Sequence, residues 1–410
     1  MKISRYSDLE SFLFRQLPMY QRVGPKAFKK NLDNIIKVSE YLGNPHESFD
    51  SIHVAGTNGK GSTCFYLASA LHEMGYKVGL YTSPHYKDYR ERIKINGKMI
   101  PKSYVKKFVQ GLIDDNVFDS DFKPSFFEIT VGMAFQYFAD EEVDIAIIET
   151  GLGGRLDSTN IITPLLSVIT NIGLDHTNFL GNTLPLIAGE KAGIIKKGVP
   201  VIIGRKQKET TPVFERVAKK MKATLKYAER NRSWTEEIIP STAADYQKEN
   251  YRTAYVALKT LYPKLDTKAI KKTWQKRIKE WGYLGRYQTI SDKPRTIADS
   301  AHNKMGISNL FRQLASEKYE QLHIVLAVVS DKDLAGVLPL FPQNANYYFT
   351  QAKIPRAMDR GELVDQAEVH GLAGKQYSSV RRALAAARGK YEKGDLILVT
   401  GSIFTVAEVV

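Results

Sequence analysis

The chain has 410 residues, of which 43% are hydrophobic and 25% are charged, and its formal net charge at pH 7 is +15. This length allows two or three domains, and the composition is typical of a globular protein with a hydrophobic core. The single cysteine, Cys64, excludes an intramolecular disulfide and a cysteine-rich metal site. The N-terminal segment has no apolar signal-peptide core, and no apolar run is long enough for a membrane span. We therefore expect a cytoplasmic protein without a membrane partner.

The positive charge is spread along the sequence, with modest clusters at Lys26–Lys30 and Lys268–Lys279. Neither cluster is interleaved with aromatic residues in the pattern of a surface on which nucleic-acid bases stack. Solvated faces explain most of this charge, and an acidic small-molecule substrate explains the excess. We expect no nucleic-acid partner.

Residues 1–50 are predicted to form helices, with Leu9, Phe12, Leu13 and Leu17 on one face. They lead into S-I-H-V-A-G-T-N-G-K-G-S-T at positions 51–63, where a short strand is followed by a glycine-rich loop and an amphipathic helix. Such a loop directs backbone N–H groups and a helix N-terminus at a phosphate, and Lys60 adds a positive charge. An ordinary turn between strand and helix is the alternative.

Beyond this loop, apolar strands alternate with helices. The predicted strands are Val78–Tyr81, Val143–Ile148, Leu165–Thr170 and Val199–Ile203, and the helices lie around Tyr104–Ile113, Phe127–Phe138 and Ala188–Lys197. Between them, Ile93 and Ile95 alternate before an Asn96-Gly97 turn. Strands that are apolar throughout and alternate with helices indicate a parallel sheet covered on both faces.

Helices dominate from Lys206 to Lys279, and a glycine-rich segment from Trp281 to Arg286 is interpreted as a hinge. A second alternation follows, with strands predicted at Arg295–Ala298, His323–Val329, Asn346–Thr350 and Leu396–Thr400, and helices from Asn303, near Leu334 and at Val380–Arg388. We therefore expect an α/β protein: a P-loop-type parallel-sheet ATPase domain at residues 1–284, followed by a smaller Rossmann-like α/β domain at residues 285–410.

Polar residues follow several predicted strands. Ser83, Glu149 and His176 each come just after an apolar strand, as the glycine loop does. Ligands bind at the carboxyl ends of strands in such sheets, so these residues are expected to share one site. Glu149 suits Mg²⁺, which uses one or two protein carboxylates together with nucleotide phosphates. The alternatives are a carboxylate that caps a turn and a purely structural histidine.

The string A-G-T-N-G-K-G-S-T departs from the common P-loop pattern, because Val54 replaces the first glycine and Gly61 separates Lys60 from Ser62. It closely resembles the signature of folylpolyglutamate synthases and dihydrofolate synthases, a branch of the Mur ligase superfamily. The resemblance covers nearly the whole chain in a fixed order of blocks, which are Y-T-S-P-H, E-R-I-K-I-N-G, F-E-I-T, I-E-T-G-L-G-G-R-L-D-S-T-N, I-T-N-I-G-L-D-H-T, L-G-N-T-L, E-K-A-G-I-I-K and G-V-P-V.

The resemblance implies a role for each matching residue. Nucleotide contacts match Thr57, Asn58, Gly59, Lys60, Gly61, Ser62, Asn250, Arg286 and Asp299. Magnesium ligands match Ser83, Glu149 and His176, and the folate-binding surface matches Ser125, Phe126, Phe127, Glu128 and Leu156. Catalytic positions match Lys60, Lys191 and His302. Lys191 matches a lysine that is often carbamylated in the superfamily; a surface lysine paired with Glu190 is the alternative.

Two departures from the family pattern concern the second domain. Lys304 stands where the family usually has proline, and the usual W-P-G-R-x-E hinge appears as W-G-Y-L-G-R-Y-Q. The second change lengthens the hinge and removes an acidic residue. It therefore weakens the match of Arg286 to a nucleotide contact of the family.

The resemblance implies an ATP-dependent ligase that adds L-glutamate to folate, with dihydropteroate as a second candidate acceptor, through an acyl phosphate. ATP and Mg²⁺ are the expected cofactors, a monovalent cation is a further candidate, and the protein is expected to be a monomer. One alternative is a Mur-type ligase acting on a cell-wall precursor, against which the E-R-I-K-I-N-G and F-E-I-T blocks speak. Another is a nucleotide-gated nucleic-acid-binding protein, which leaves Glu149, His176 and Lys191 without a role.

Overall fold

The computed structural model describes residues 5–17, 31–118, 123–231, 236–240, 243–276 and 278–410. The predicted lysine cluster at 26–30 lies outside these residues. The chain divides into two compact units, each considered by itself below. The first comprises residues 1–172, 177–241 and 247–282, and the second comprises residues 173–176, 242–246 and 283–410.

The first unit is built on an eight-stranded sheet in the order β4-β3-β2-β5-β1-β6-β7-β8. Its strands are β1 Asp50–Ala55, β2 Val78–Tyr81, β3 Ile93–Ile95, β4 Lys98–Met99, β5 Ile145–Glu149, β6 Leu166–Ile169, β7 Val201–Ile203 and β8 Leu225–Tyr227. Strands β2, β5, β1, β6, β7 and β8 run parallel, whereas β3 and β4 form an antiparallel hairpin at one edge.

Helices of the first unit cover this sheet. They are α1 Tyr6–Gln16, α2 Asp33–Tyr41, α3 Lys60–Glu73, α4 Lys102–Asp114, α5 Phe126–Asp140, α6 Thr177–Leu180, α7 Leu184–Ala192, α8 Thr211–Lys220, α9 Asp245–Leu261 and α10 Thr267–Lys276. Short 3₁₀ turns lie at Pro45–Glu47, Tyr89–Arg92, Ser158–Ile161, Ala228–Arg230, Glu236–Ile238 and Ile278–Trp281. Helix α5 is apolar on nearly all sides, and its buried residues form much of one core together with Leu9, Leu13, Ile35 and Val38.

The second unit contains a six-stranded sheet in the order β13-β12-β11-β14-β10-β9. Its strands are β9 Gln288–Asp292, β10 Arg295–Ala298, β11 Leu322–Leu326, β12 Asn346–Phe349, β13 Gly374–Gln376 and β14 Leu396–Thr400. Only β9 pairs antiparallel in this sheet. The helices are α11 Lys304–Leu314, α12 Leu334–Val337, α13 Arg360–Glu368, α14 Val380–Lys390 and α15 Ile403–Ala407, with a 3₁₀ turn at Leu338–Leu340.

The α/β class and its two parallel-dominated sheets are confirmed. Strands Val78–Tyr81, Arg295–Ala298 and Leu396–Thr400 have the bounds expected from sequence. Strand β8 was not expected in the region assigned to helices, because its residues are partly exposed and give no apolar run. In the described part of the chain, no helix combines the length and apolarity needed to cross a membrane.

Candidate active site

The glycine loop joins β1 to α3, and its backbone geometry explains two of its glycines. Gly59 has φ of +83°, which is strained for any residue with a side chain, and a Cβ there would lie 2.0 Å from Asn250 Oδ1. A Cβ on Gly56 would lie 1.8 Å from Thr170 Oγ1. The loop therefore runs too close to neighbouring polar side chains to carry side chains of its own at these positions.

Lys60 begins α3, and its ammonium group folds back over the loop. Its Nζ donates to the carbonyl oxygens of Gly56 at 3.1 Å and Thr57 at 3.4 Å. The first-turn N–H groups of an α-helix have no acceptor within the helix. The start of α3 therefore combines backbone donors, the positive end of a helix dipole and an ammonium group, a combination that attracts phosphate.

Asn171, which the sequence analysis did not single out, positions this loop. Its backbone oxygen accepts from Thr57 N–H at 2.8 Å, and its side-chain Oδ1 accepts from Asn58 N–H at 3.1 Å. The Thr170 hydroxyl donates to Asn58 O at 2.6 Å. Thr57 and Asn58 thus direct their N–H groups at the end of β6, which fixes the loop just before the N-terminus of α3. The sequence did contain a signal for this role, because Thr170 and Asn171 are polar residues directly after the apolar strand β6.

Asn250 lies beside the loop, as its predicted role requires. It is buried in α9, and its Nδ2 donates to Gln247 Oε1 at 2.8 Å. The Tyr66 hydroxyl donates to the same Gln247 oxygen at 3.1 Å. These hydrogen bonds fix the Asn250 amide so that its oxygen faces Gly59.

Ser83 and Glu149 are brought together by the neighbouring strands β2 and β5. The backbone N–H of Ser83 donates to Glu149 Oε2 at 2.9 Å, and Glu149 is only 4% exposed. A Cβ on Gly61 would lie 3.6 Å from the same oxygen, so the carboxylate stands beside the start of α3. A buried carboxylate with a serine next to it offers oxygen ligands to a hard cation, and such a set fits Mg²⁺.

His176 is grouped with the second unit, where it follows Asp175. Burial lowers the pKa of His176 to about 3, against the influence of Asp175, so the ring is neutral at physiological pH. Neutral imidazole is the form that binds metals. Among the residues that the structure describes, no three His, Cys, Asp or Glu side chains are grouped to hold a metal ion.

The residues matched to folate binding lie at the start of α5 and in the loop after β5. Ser125 and Glu128 form a reciprocal helix cap, and Glu128 Oε2 also accepts from Asn34 Nδ2 at 3.2 Å. Phe127 and Leu156 are partly exposed, whereas Phe126 is buried. The cap fixes the start of α5, so the side chains that a ligand would meet are those of Phe127 and Leu156.

Lys191 lies in the last turn of α7 and is only 4% exposed. The alternative of a surface lysine is therefore wrong. Its supposed partner Glu190 forms an ion pair with Arg155 at 2.9 Å. Lys191 is therefore an interior lysine, and its carbamylation stays a prediction from the family resemblance.

In the second unit, the Asp299 carboxylate accepts three hydrogen bonds. Tyr287 N–H donates to Oδ2 at 2.7 Å, Tyr246 O–H donates to Oδ2 at 2.5 Å, and Ala301 N–H donates to Oδ1 at 2.8 Å. Burial raises the pKa of Asp299, while Tyr246 and Arg286 oppose that rise. A carboxylate has about four lone-pair positions, so these three bonds to described residues leave one for a ligand hydroxyl.

Arg286 donates to the Ser300 hydroxyl next to Asp299. Despite the altered hinge sequence, the structure therefore brings Arg286 and Asp299 into one cluster. Tyr246, at the start of α9, is a member that the sequence analysis missed.

His302 belongs to a second cluster in this unit, which is centred on Asp175. Asp175 Oδ1 accepts from Lys332 Nζ at 2.6 Å, and its Oδ2 accepts from Asn303 Nδ2 at 3.0 Å. His302 Nε2 lies 3.5 Å from the same Oδ2. Burial acts to raise the pKa of Asp175, but the hydrogen bond from His302 and the positive charges around it hold that pKa well below the usual range.

Two family models match the chain. The Mur ligase middle domain matches residues 54–259, and the glutamate ligase domain of Mur ligases matches residues 285–403. The dihydrofolate synthase/folylpolyglutamate synthase of Bacillus subtilis is 31% identical, over 98% of this chain and 98% of its own length. A probable bifunctional folylpolyglutamate synthase/dihydropteroate synthase of Haloferax volcanii is 30% identical over 98% of this chain, which spans only 50% of that protein.

Solved structures agree in fold. Escherichia coli FolC in complex with DHPP and ADP superposes with a TM-score of 0.85 at 30% identity, covering 99% of this chain and 97% of that one. A bifunctional folylpolyglutamate synthase/dihydrofolate synthase with Mn, AMPPNP and L-glutamate bound has a TM-score of 0.85 at 29% identity, with the same coverage of 99% and 97%. The chain belongs to the folylpolyglutamate synthase and dihydrofolate synthase family of Mur ligases.

Proposed function

We propose that this protein is an ATP-dependent ligase that joins L-glutamate to a folate, and that dihydropteroate is a second acceptor. The observation that carries the proposal is the loop with Lys60 at the start of α3, beside the buried Glu149 carboxylate. This arrangement supports phosphoryl transfer, and the Bacillus subtilis protein that matches nearly the whole chain is named dihydrofolate synthase/folylpolyglutamate synthase.

The reaction has two steps. An oxygen of the acceptor carboxylate attacks the γ-phosphorus of ATP, the bond from that phosphorus to the β,γ-bridging oxygen breaks, and ADP leaves. The amine nitrogen of glutamate then attacks the acyl carbon of the acyl phosphate. The carbon–oxygen bond to phosphate breaks, inorganic phosphate leaves, and the nitrogen loses a proton to solvent. Activation is required because a free carboxylate has no adequate leaving group.

Lys60 and the first-turn N–H groups of α3 would stabilise the charge on the transferred phosphoryl group, where positioning and electrostatics provide most of the catalysis. Ser83, Glu149 and His176 would hold Mg²⁺, which neutralises phosphate charge when bound. Asn250, Arg286 and Asp299 are assigned to the nucleotide, and Phe127 and Leu156 to the pterin ring.

Lys191 and His302 are the two predicted catalytic residues whose roles are still to be assigned. We assign Lys191 to a carbamate, whose negative charge would suit a position near a bound cation better than an ammonium group. His302 lies beside the acidic Asp175, and we assign it to the reacting groups. The domain division at residue 284, the cytoplasmic location and the monomeric state stay predictions from the sequence.

The test is a turnover assay with Mg-ATP, L-glutamate and either dihydropteroate or tetrahydrofolate. ADP release should require both glutamate and an acceptor, and the acceptor product should gain the mass of one glutamyl residue. ADP formation at the same rate without acceptor and glutamate would show an ATPase of another kind. Product from only one of the two acceptors would decide between the folylpolyglutamate synthase and dihydrofolate synthase activities.

A further inference from the structure

Arg92, in the 3₁₀ turn before β3, is a cation in the interior of the first unit. It is 3% exposed, and its guanidinium lies over the Phe126 ring with 5.3 Å between Cζ and the ring centroid. Burial lowers its pKa, although Tyr81 and Tyr89 act in the opposite direction. A buried charge is strongly unfavourable unless another group compensates it.

Among the described residues, Tyr81 and, more weakly, the Glu149 charge raise the pKa of Arg92, but they offset only part of the effect of burial. Arg92 Nε donates to His85 Nδ1 at 2.8 Å, and no carboxylate in the described part of the chain lies within ion-pair distance of the guanidinium. Arg90, two residues earlier and more exposed, is paired with Asp88 at 2.7 Å. The more buried of these two arginines is thus the one that forms no ion pair with a described carboxylate.

The Tyr81 hydroxyl is a second unmet polar group at the same place. It is fully buried, and no partner among the described residues lies within hydrogen-bond distance of it, although it is close enough to Arg92 for the two groups to influence each other's pKa. Buried hydroxyls are normally hydrogen-bonded, and each exception calls for an explanation. An anion between Tyr81 and Arg92 would satisfy both groups at once.

His85 completes a set of donors. Because its Nδ1 accepts the hydrogen bond from Arg92, the neutral ring carries its proton on Nε2, which is therefore a donor. Its side chain is partly exposed, whereas Arg92 and Tyr81 are buried. A ligand would therefore meet the His85 ring before it reaches Arg92.

Within the first unit, these donors lie between the predicted metal ligands and the predicted folate-binding surface. Thr82 N–H donates to Arg92 O at 3.0 Å, and the next residue, Ser83, donates to Glu149. On the other side, Arg92 stacks on Phe126 at the start of α5. The donors thus connect the predicted metal ligands with the predicted folate-binding surface.

We infer that Arg92, together with the Tyr81 hydroxyl and the His85 ring, binds the carboxylate of the acyl acceptor, the group that is phosphorylated. This inference rests on the proposed function and adds an anion subsite to it. A guanidinium matches the geometry of a carboxylate, and a cation there reduces the repulsion between the acceptor and the triphosphate. Arg92 would thus select acceptors with a free carboxylate and hold the attacking oxygen.

The experiment compares binding of dihydropteroate and its neutral carboxamide to the full chain, followed by fluorescence titration in the presence of ADP and Mg²⁺. The variants are Y81F, which removes only the unpartnered hydroxyl, and R92M. R90M is the matched control, because it removes a neighbouring arginine that already has a carboxylate partner. Thermal melting of each variant reports whether it is folded.

The wild type and R90M should bind the acid roughly tenfold to a hundredfold more tightly than the carboxamide, the range expected for a charge-assisted hydrogen bond. R92M should bind both compounds equally, with KM values for ATP and glutamate within about threefold of wild type. Y81F should lose part of the preference while its melting temperature stays equal or rises, because a buried hydroxyl without a partner does not stabilise the fold.

Two outcomes would overturn the inference. One is an undiminished preference for the acid in Y81F and in folded R92M. The other is a melting temperature in Y81F that falls while its preference is unchanged, which would make the hydroxyl structural. The binding comparison needs no turnover, so a wild type that prefers the acid but forms no glutamyl product would refute the proposed function and leave the subsite standing.

Discussion

Replacing Gly59 by alanine should damage nucleotide binding through a single steric conflict. Gly59 has φ of +83°, and an alanine Cβ there would lie 2.0 Å from Asn250 Oδ1. Left-handed backbone costs an alanine about 1 to 2 kcal/mol. Because real Cβ atoms essentially never approach such an atom within 3.0 Å, the loop or Asn250 must also move by about 1 Å.

Gly75 provides a control for the free-energy cost of placing an alanine in a left-handed backbone conformation. It follows the same helix α3 and has φ of +95°, but a Cβ there would meet nothing within 4 Å. G59A and G75A should therefore lose similar stability from backbone strain, and only G59A should displace the phosphate loop. A displacement of about 1 Å can cost roughly a hundredfold in rate, so we expect such a fall in kcat/KM for ATP in G59A and less than about threefold in G75A.

The assay is steady-state ADP release at varied ATP, with titration of ADP to measure binding directly. A double-mutant cycle with N250A identifies the cause, because removing the Asn250 amide removes the atom that the new Cβ meets. The loss caused by G59A should be much smaller in the N250A background than in wild type. Equal losses in both backgrounds, or the same behaviour in G59A and G75A, would refute the steric explanation.

Three further predictions concern charge. K60A should lower kcat/KM by roughly a hundredfold or more with little change in unfolding free energy, since the hydrogen bonds of Lys60 to described residues go to loop carbonyls alone. Near-normal turnover would remove Lys60 from the mechanism. K191A should lower activity and recover part of it with added bicarbonate; intact mass showing a free amine in the active enzyme would exclude the carbamate. His53 is fully buried, and its pKa is lowered to about 3, mainly by burial and secondarily by the charge of Lys196. The neutral ring therefore contributes fully to stability above pH 6.5, and this contribution is lost as the pH falls towards 3. Between pH 7.5 and pH 5, wild type should therefore lose about 2 kcal/mol more unfolding free energy than H53L in urea unfolding. An equal loss in the two proteins would place the acid sensitivity elsewhere.

Much of the fold follows from local patterns in the sequence. Strands β2 and β14 are largely apolar runs bounded by polar or glycine residues, and their limits, like those of β10, were predicted to the residue. Strands β8 and β13 were missed because each lies at an edge of its sheet and its residues are partly or fully exposed. Without a buried face, an edge strand has no apolar periodicity for sequence analysis to detect.

The phosphate loop was evident from residues 51–63 alone, because a strand, a glycine loop, a lysine and a helix are consecutive in the chain. Its surroundings were not evident. Asn171 fixes Thr57 and Asn58 because β6 is paired directly beside β1, and Asn250 reaches Gly59 from a helix far along the chain. Likewise, the sequence predicts that Ile93 and Ile95 alternate in a strand, but the burial of the Arg92 charge against Phe126 and His85 arises from tertiary packing. Local sequence determines which segments form strands, helices and turns; the order of strands in the sheet determines which polar groups meet in its interior, because those contacts join residues that no local pattern connects.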